Sequence, residues 1–126
     1  MIGRLHHLVV DCPDPGALAD FYSRLLGRPV TYDDGDFAVV SADQTTSGLA
    51  FQRVDEYVPP SWPDPRRPQQ MHLDVMVDDV AAAEPLVLAL GATRLPAGDG
   101  RHVYADPAGH PFCTIPRPSW AAPIGD

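Results

Sequence analysis

The sequence is poor in cysteine and in basic residues, and it contains no long apolar run. Its two cysteines, Cys12 and Cys113, cannot form a disulfide framework in 126 residues, which favours free thiols in a reducing cytoplasm. The net charge of −8 argues against nucleic acid or an anionic membrane as a partner, because both require a basic face. No segment has the pattern of a signal peptide or a membrane span. We therefore expect a soluble, cytoplasmic protein.

Apolar residues and prolines are plentiful. The hydrophobic fraction of 44% predicts one core, and therefore a single domain over residues 1–126. The small size of that core also predicts a homodimer. The segment 58–69 is too rich in proline for regular structure, so we expect a connector there, and residues 117–126 are expected to form a tail.

The same order of elements occurs twice along the chain. The first module, about residues 4–56, contains the strand LHHLVVD, the helix GALADFYSRLLG with Asp14 as its N-cap, and three short strands. The second module, about residues 70–116, begins with MHLDVMV and continues with a helix, which Pro85 should kink or cap, and three strands. Two βαβββ copies indicate an internal duplication and an α+β fold.

Four polar side chains are expected on the sheet faces that point away from the helices. His7 and His72 occupy matching positions in the first strand of each module, and alternation directs both away from the helix. Gln52 and Cys113 each follow a phenylalanine that would pack beneath a helix. This pattern predicts a pocket. Its apolar walls are expected from Val9, Val54, Met76 and Ile115.

Three segments resemble the vicinal oxygen chelate superfamily: HHLVVDCPDPGALADFYSRLLG, MHLDVMVDDV followed by LGA, and YADPAGHPFC. The resemblance covers about Leu5 to Ile115. This superfamily includes glyoxalase I, fosfomycin-resistance proteins, extradiol dioxygenases and bleomycin-binding proteins, and the similarity is greatest to its glyoxalase-like subgroup. It implies that the tandem modules form a curved mixed sheet around a pocket that binds a small organic molecule.

The resemblance also implies a metal site. In metal-dependent members four side chains bind one divalent ion, and the matching positions here are His7, Gln52, His72 and Cys113. The glutamates expected at the second and fourth positions are absent, since Gln52 and Cys113 stand there. The ion implied is zinc, nickel, manganese or iron.

Cys113 and Asp74 are each open to more than one interpretation. Cys113 is expected to be a small apolar plug, with a zinc-ligating thiolate as the alternative and a nucleophile as the weakest reading. Asp74 follows His72 on the same face, about 6.5 Å along the strand. It is the expected catalytic base or an added ligand, and the alternative is a surface aspartate paired with Arg66 or Arg67.

Two functions remain open from the sequence. One is a metal-dependent lyase or isomerase in which the ion stabilises an oxyanion of the substrate. The other is a metal-free protein that sequesters a planar or cationic, antibiotic-like molecule, with Trp62 as a stacking lid. His102 and His110 are expected to face solvent in loops.

Overall fold

A computed structural model describes residues 1–69 and 71–125. The chain divides into two compact units, Met1–Val58 and Pro59–Asp126, close to the predicted module boundaries. Residue 70, where the second module was predicted to begin, and residue 126, at the end of the predicted tail, lie outside the described residues. The α+β fold with tandem βαβββ modules is confirmed. A single domain over both units stays a prediction.

The first unit has one helix on a four-stranded mixed sheet. In that sheet β1 is parallel to β4, the other pairs are antiparallel, and the strand order is β1-β4-β3-β2. The elements are β1 (His7–Cys12), α1 (Pro15–Leu26), β2 (Val30–Asp33), β3 (Phe37–Val40) and β4 (Gly48–Arg53).

Local signals set the bounds of α1. The Asp14 carboxylate accepts the Ala17 N–H at 3.2 Å as the N-cap, and Gly27 ends the helix in the left-handed conformation, with φ 64°. Tyr22 of α1 stacks on Phe51 of β4 with ring centroids 5.3 Å apart, so the helix covers that face of the sheet. The opposite face, which carries His7, remains available for a ligand.

The second unit repeats this arrangement, with strand order β5-β8-β7-β6 and β5 parallel to β8. Its helix continues through Pro85 instead of being interrupted there. The side chain of Asp79 caps it by accepting the N–H groups of Ala81 and Ala82. The elements are β5 (Leu73–Val77), α2 (Val80–Ala89), β6 (Thr93–Leu95), β7 (His102–Ala105) and β8 (Pro111–Pro116).

A tight turn built on a buried aspartate joins β7 to β8. The side chain of Asp106 is fully buried and accepts the backbone N–H groups of Ala108 and His110 at 2.9 and 3.0 Å. It also contacts the His110 ring, with Nδ1 2.8 Å from Oδ2. Gly109 supplies the positive φ of 93° that the turn requires. The expectation that His110 faces solvent is therefore wrong, because its ring is held by Asp106.

The proline-rich connector is ordered by turns. The N–H of Asp64 donates to the carbonyl of Ser61, and the N–H of Arg67 donates to that of Asp64. The Trp62 indole N–H donates to the carbonyl of Pro96 at 2.8 Å. The connector is thus fastened to the second unit.

Across the described part of the chain, no helix is long and apolar enough to cross a membrane. The cytoplasmic location and the homodimer stay predictions.

Candidate functional site

Three potential metal ligands meet on the second sheet. His72, Asp74 and Cys113 each offer a ligand atom, and these atoms all lie within 4.8 Å of one another. The imidazole Nε2 of His72 is 3.3 Å from Oδ1 of Asp74. Among residues 1–69 and 71–125, Asp74 forms no ion pair with the connector arginines, and Arg66 pairs with Asp64 instead. His72 and Asp74 are exposed, whereas Cys113 is buried.

Strand pairing brings these residues together. His72 immediately precedes β5, and Asp74 of β5 is the register partner of Cys113 on β8. Phe112, which precedes the cysteine, faces the other way and stacks on Tyr104 at 5.5 Å. The cluster therefore lies on the sheet face opposite α2, as the alternation of side chains predicted.

The surroundings of Cys113 keep its thiol protonated. Burial raises the pKa of the thiol above its usual value, and the negative charges of Asp74 and Asp99 raise it further, while Arg101 opposes them. A protonated, buried thiol is a poor nucleophile. The same negative charges favour a dication, which would displace the thiol proton on binding.

The cluster opens into a cavity of about 380 Å³. β7 begins at His102, which is opposite Thr114, whereas β8 continues two residues further, to Pro116. The end of β8 is therefore not covered by β7, and the cavity reaches both faces of the sheet there. Its remaining lining includes Arg101, which the sequence reading had not placed at the site, and the apolar Ile115.

His102 belongs to a polar network on the helix side of this cavity. Its Nδ1 lies 2.8 Å from an Arg94 guanidinium nitrogen and 3.2 Å from the Glu84 carboxylate, which also accepts from Arg94 and Tyr104. The expectation that His102 faces solvent in a loop is therefore wrong. Its main partner, Glu84, is 18 residues earlier on α2, so no local pattern could have revealed the contact.

In the first unit, His7 and Gln52 share a face but lie apart along it. His7 is opposite Gly48, whereas Gln52 is opposite Asp11, four positions further along. With the two predicted histidines aligned, Ala50 is the counterpart of Cys113. The sequence had instead matched Cys113 with Gln52, which lies two residues further along β4. β4 therefore places no metal-ligating side chain opposite His7, because the residue there is Gly48.

The ring of His7 is engaged by the backbone. The N–H of Gly48 donates to Nδ1 of His7 at 3.1 Å, so the neutral imidazole carries its proton on Nε2. Burial, and then the neighbouring His6, lower the pKa of His7, which favours this neutral form. A metal-ligating histidine usually donates the N–H of its other ring nitrogen to an acceptor, whereas Nδ1 of His7 accepts a backbone N–H. A side chain at Gly48 would overlap the carbonyl oxygen of Val40, so the close packing of β4 against the end of β3 depends on glycine there.

His7 and Val9 line a groove of about 840 Å³ on the first sheet. At its other side Tyr32 donates its hydroxyl to Asp34 at 2.9 Å and meets Phe37 edge to face, with centroids 6.5 Å apart. Hydrogen bonds from the Asp36 backbone and the Tyr32 hydroxyl hold the pKa of Asp34 below its usual range. The groove therefore pairs aromatic surface with a fixed negative charge.

The other residues predicted to line a pocket are dispersed. Ile115 lines the cavity of the second unit, and Met76 is its register partner on β5. Val54 lies just beyond β4, where its N–H donates to the carbonyl of Cys12. Trp62 borders a separate pocket of about 240 Å³ within the connector.

Residues 7–115 match the family described as "Glyoxalase-like domain". The chain therefore belongs to that family. No curated protein matches the chain.

Several solved structures share the fold. A glyoxalase-related enzyme from Fulvimarina pelagi is 22% identical, with 98% of this chain and 94% of that chain covered and a TM-score of 0.65. A glyoxalase/bleomycin resistance protein/dioxygenase family enzyme from Burkholderia phytofirmans PsJN is 18% identical, with coverages of 89% and 97% and a TM-score of 0.65. The fosfomycin resistance protein FosX from Mesorhizobium loti is 14% identical, with coverages of 94% and 95% and a TM-score of 0.63. At these identities the likeness concerns the fold alone.

Proposed function

We propose that this glyoxalase-like protein binds a small organic molecule in the cavity of its second unit, at a divalent metal held by His72, Asp74 and Cys113. The observation that carries the proposal is the convergence of three ligand atoms within 4.8 Å on one sheet face. Zinc is the ion that this donor set favours.

The donor types and their spacing support zinc. A thiolate, an imidazole and a carboxylate are all zinc ligands, with bonds of about 2.0–2.3 Å. Two ligands of a tetrahedral ion with bonds of about 2.0 Å are about 3.3 Å apart. The measured separation of His72 Nε2 and Asp74 Oδ1 is 3.3 Å. Three protein ligands leave one coordination position for substrate or water, as in catalytic sites.

Each residue of the site has a role in this proposal. His72 and Cys113 fix the ion, which when bound would act as a Lewis acid toward a substrate oxygen. Asp74 would bind the ion through Oδ1, the oxygen beside His72, which leaves Oδ2 to accept a proton from the substrate. Ile115 supplies an apolar wall that excludes water from one side of the substrate. These roles suit lyase or isomerase chemistry that passes through an oxyanion.

Metal analysis tests the proposal. Protein purified without a metal-affinity tag and dialysed against zinc should retain one zinc per chain by mass spectrometry. Because the folded chain binds the ion, excess zinc at about 100 times Kd should add about 2.7 kcal/mol of stability, and a chelator should remove it. Zinc, nickel, manganese and iron all absent above background, with no chelator effect on the melting temperature, would contradict the proposal.

The groove of the first unit favours a second candidate, metal-free binding of a flat organic cation. Tyr32 and Phe37 offer aromatic faces, and the ionised Asp34 complements a positive charge. The dye proflavine should then bind the chelated protein more tightly than the anion fluorescein. Tyr32→Ala should weaken that binding about fivefold or more, whereas Tyr32→Phe should retain most of it. Equal binding of both dyes would exclude this candidate.

A further inference from the structure

One buried hydroxyl group in the cavity of the second unit has no partner. The side chain of Thr114 is 3% exposed, and its Oγ1 has no hydrogen-bond partner in the part of the chain that the structure describes. Thr114 lies on β8 next to Cys113 but points to the helix side, and it lines the same cavity as the metal ligands. A buried hydroxyl without a partner is costly for the fold, so a group that satisfies it would bind favourably.

His102 presents a second donor at the same place. His102 and Thr114 are register partners, so their side chains lie next to each other on one face. Nδ1 of His102 lies 2.8 Å from the Arg94 guanidinium, which can only donate, and 3.2 Å from the Glu84 carboxylate, which can only accept. In the tautomer that accepts from Arg94, the ring proton is on Nε2. This tautomer leaves an N–H at the ring position that the network does not use.

The remaining neighbours carry both signs of charge, and the acidic Asp74 is the one whose charge a bound dication would offset. Val80, the first residue of α2, lines the cavity, at a helix N-terminus that the Asp79 side chain already caps. Arg101 also lines the cavity, although its guanidinium is paired with Asp99 at 2.8 Å. Two hydrogen-bond donors, the Thr114 hydroxyl and the His102 ring, beside Arg101 favour an acceptor with negative charge.

We propose that the cavity binds a small organic carboxylate, whose oxygens accept hydrogen bonds from Thr114 Oγ1 and the His102 ring. The inference deepens the proposed function, because it names the class of molecule that would enter the cavity beside the metal. The carboxylate contacts do not involve the ion, so they operate in chelated protein as well. Val80 and Ile115 accommodate the apolar part of such a molecule.

The test uses benzoate as the anionic probe and benzylamine as its cationic counterpart. Both are titrated into chelated and zinc-loaded full-length protein, and binding is followed by amide NMR shifts. We expect benzoate to bind more tightly than benzylamine in both forms and to shift the amides of His102 and Thr114. Thr114→Val should weaken benzoate binding about tenfold or more, because a hydrogen bond to a charged group is lost. Thr114→Ser should retain it, and Thr93→Val, an exposed threonine of the same sheet, should leave it unchanged.

The ligand-free stability of Thr114→Val provides an independent readout. Because its hydroxyl has no partner, the valine variant should unfold at the same denaturant concentration as the wild type, or at a higher one. A less stable variant with unchanged benzoate binding would show that a bound water satisfies Thr114, and would overturn the inference. Equal binding of benzoate and benzylamine, or no benzoate binding, would also overturn it. Failure of zinc binding alone would contradict only the proposed metal site.

Discussion

Replacing Cys113 by serine should weaken zinc binding by about 100-fold or more. The thiolate is the softest of the three ligands, and a serine hydroxyl stays protonated at neutral pH and binds zinc poorly. Its loss leaves only His72 and Asp74 at the site, both of which are exposed to competing water. Competition with a chromophoric zinc chelator would measure the two dissociation constants.

Cys12 provides a matched control. It is also a buried cysteine outside any disulfide, at the end of β1 in the first unit, where its Sγ lies 3.6 Å from the carbonyl oxygen of Gln52. Cys12→Ser should therefore cost about as much stability as Cys113→Ser, roughly 1–2 kcal/mol, without affecting zinc. If Cys113 is only an apolar plug, both serine variants will bind zinc as the wild type does. That result would contradict the assignment of Cys113 as a ligand.

Replacing Asp106 by alanine should lower the free energy of unfolding by about 3–5 kcal/mol. Its carboxylate is fully buried and accepts two backbone N–H groups while contacting the His110 ring. Alanine would remove the buried carboxylate that these part-buried N–H groups donate to, which is among the costliest changes in a folded protein. Urea unfolding followed by circular dichroism would measure the loss.

Asp34 is the matched control for this prediction. It likewise accepts two backbone N–H groups, those of Asp36 and Phe37, in a hairpin turn, but it is exposed. Asp34→Ala should therefore lower stability much less than Asp106→Ala, because water satisfies the released donors. The stability loss of Asp106→Asn should lie between these two losses. Asparagine keeps an oxygen that accepts from the backbone but lacks the charge beside His110. Equal losses at Asp34 and Asp106 would show that burial does not decide the cost.

The architecture was readable from the sequence because its signals are local. The Asp14 cap, Gly27 and the turn that begins at Asp106 each act within a few residues of their own position. Alternation placed Asp74 and Cys113 on one face, and the structure makes them register partners. Patterns over a few residues therefore predicted both the elements and the sheet face toward which their side chains point.

The register of non-adjacent strands was not readable in the same way. A slip of two residues leaves every side chain on the same face, so alternation could not distinguish Ala50 from Gln52 as the counterpart of Cys113. The pairing of β1 with β4 determines which residue is the counterpart of Cys113, and no sequence pattern specifies that pairing. For the same reason the sequence could not show that Gly48 would engage His7.

Contacts between distant segments account for the other differences. Glu84 lies on α2, and its carboxylate contacts His102 at the start of β7. Trp62, whose role as a lid over a ligand stays a prediction, donates its indole N–H to the carbonyl of Pro96. Both contacts join residues that are far apart in sequence.

X-ray absorption at the zinc edge of the wild-type protein tests the central claim most directly. A site formed by His72, Asp74 and Cys113 predicts one sulfur at about 2.3 Å and nitrogen or oxygen ligands at about 2.0–2.1 Å. The sulfur shell should disappear in the Cys113→Ser protein loaded at high zinc and persist in Cys12→Ser. A wild-type spectrum with nitrogen and oxygen ligands alone would contradict the proposed site.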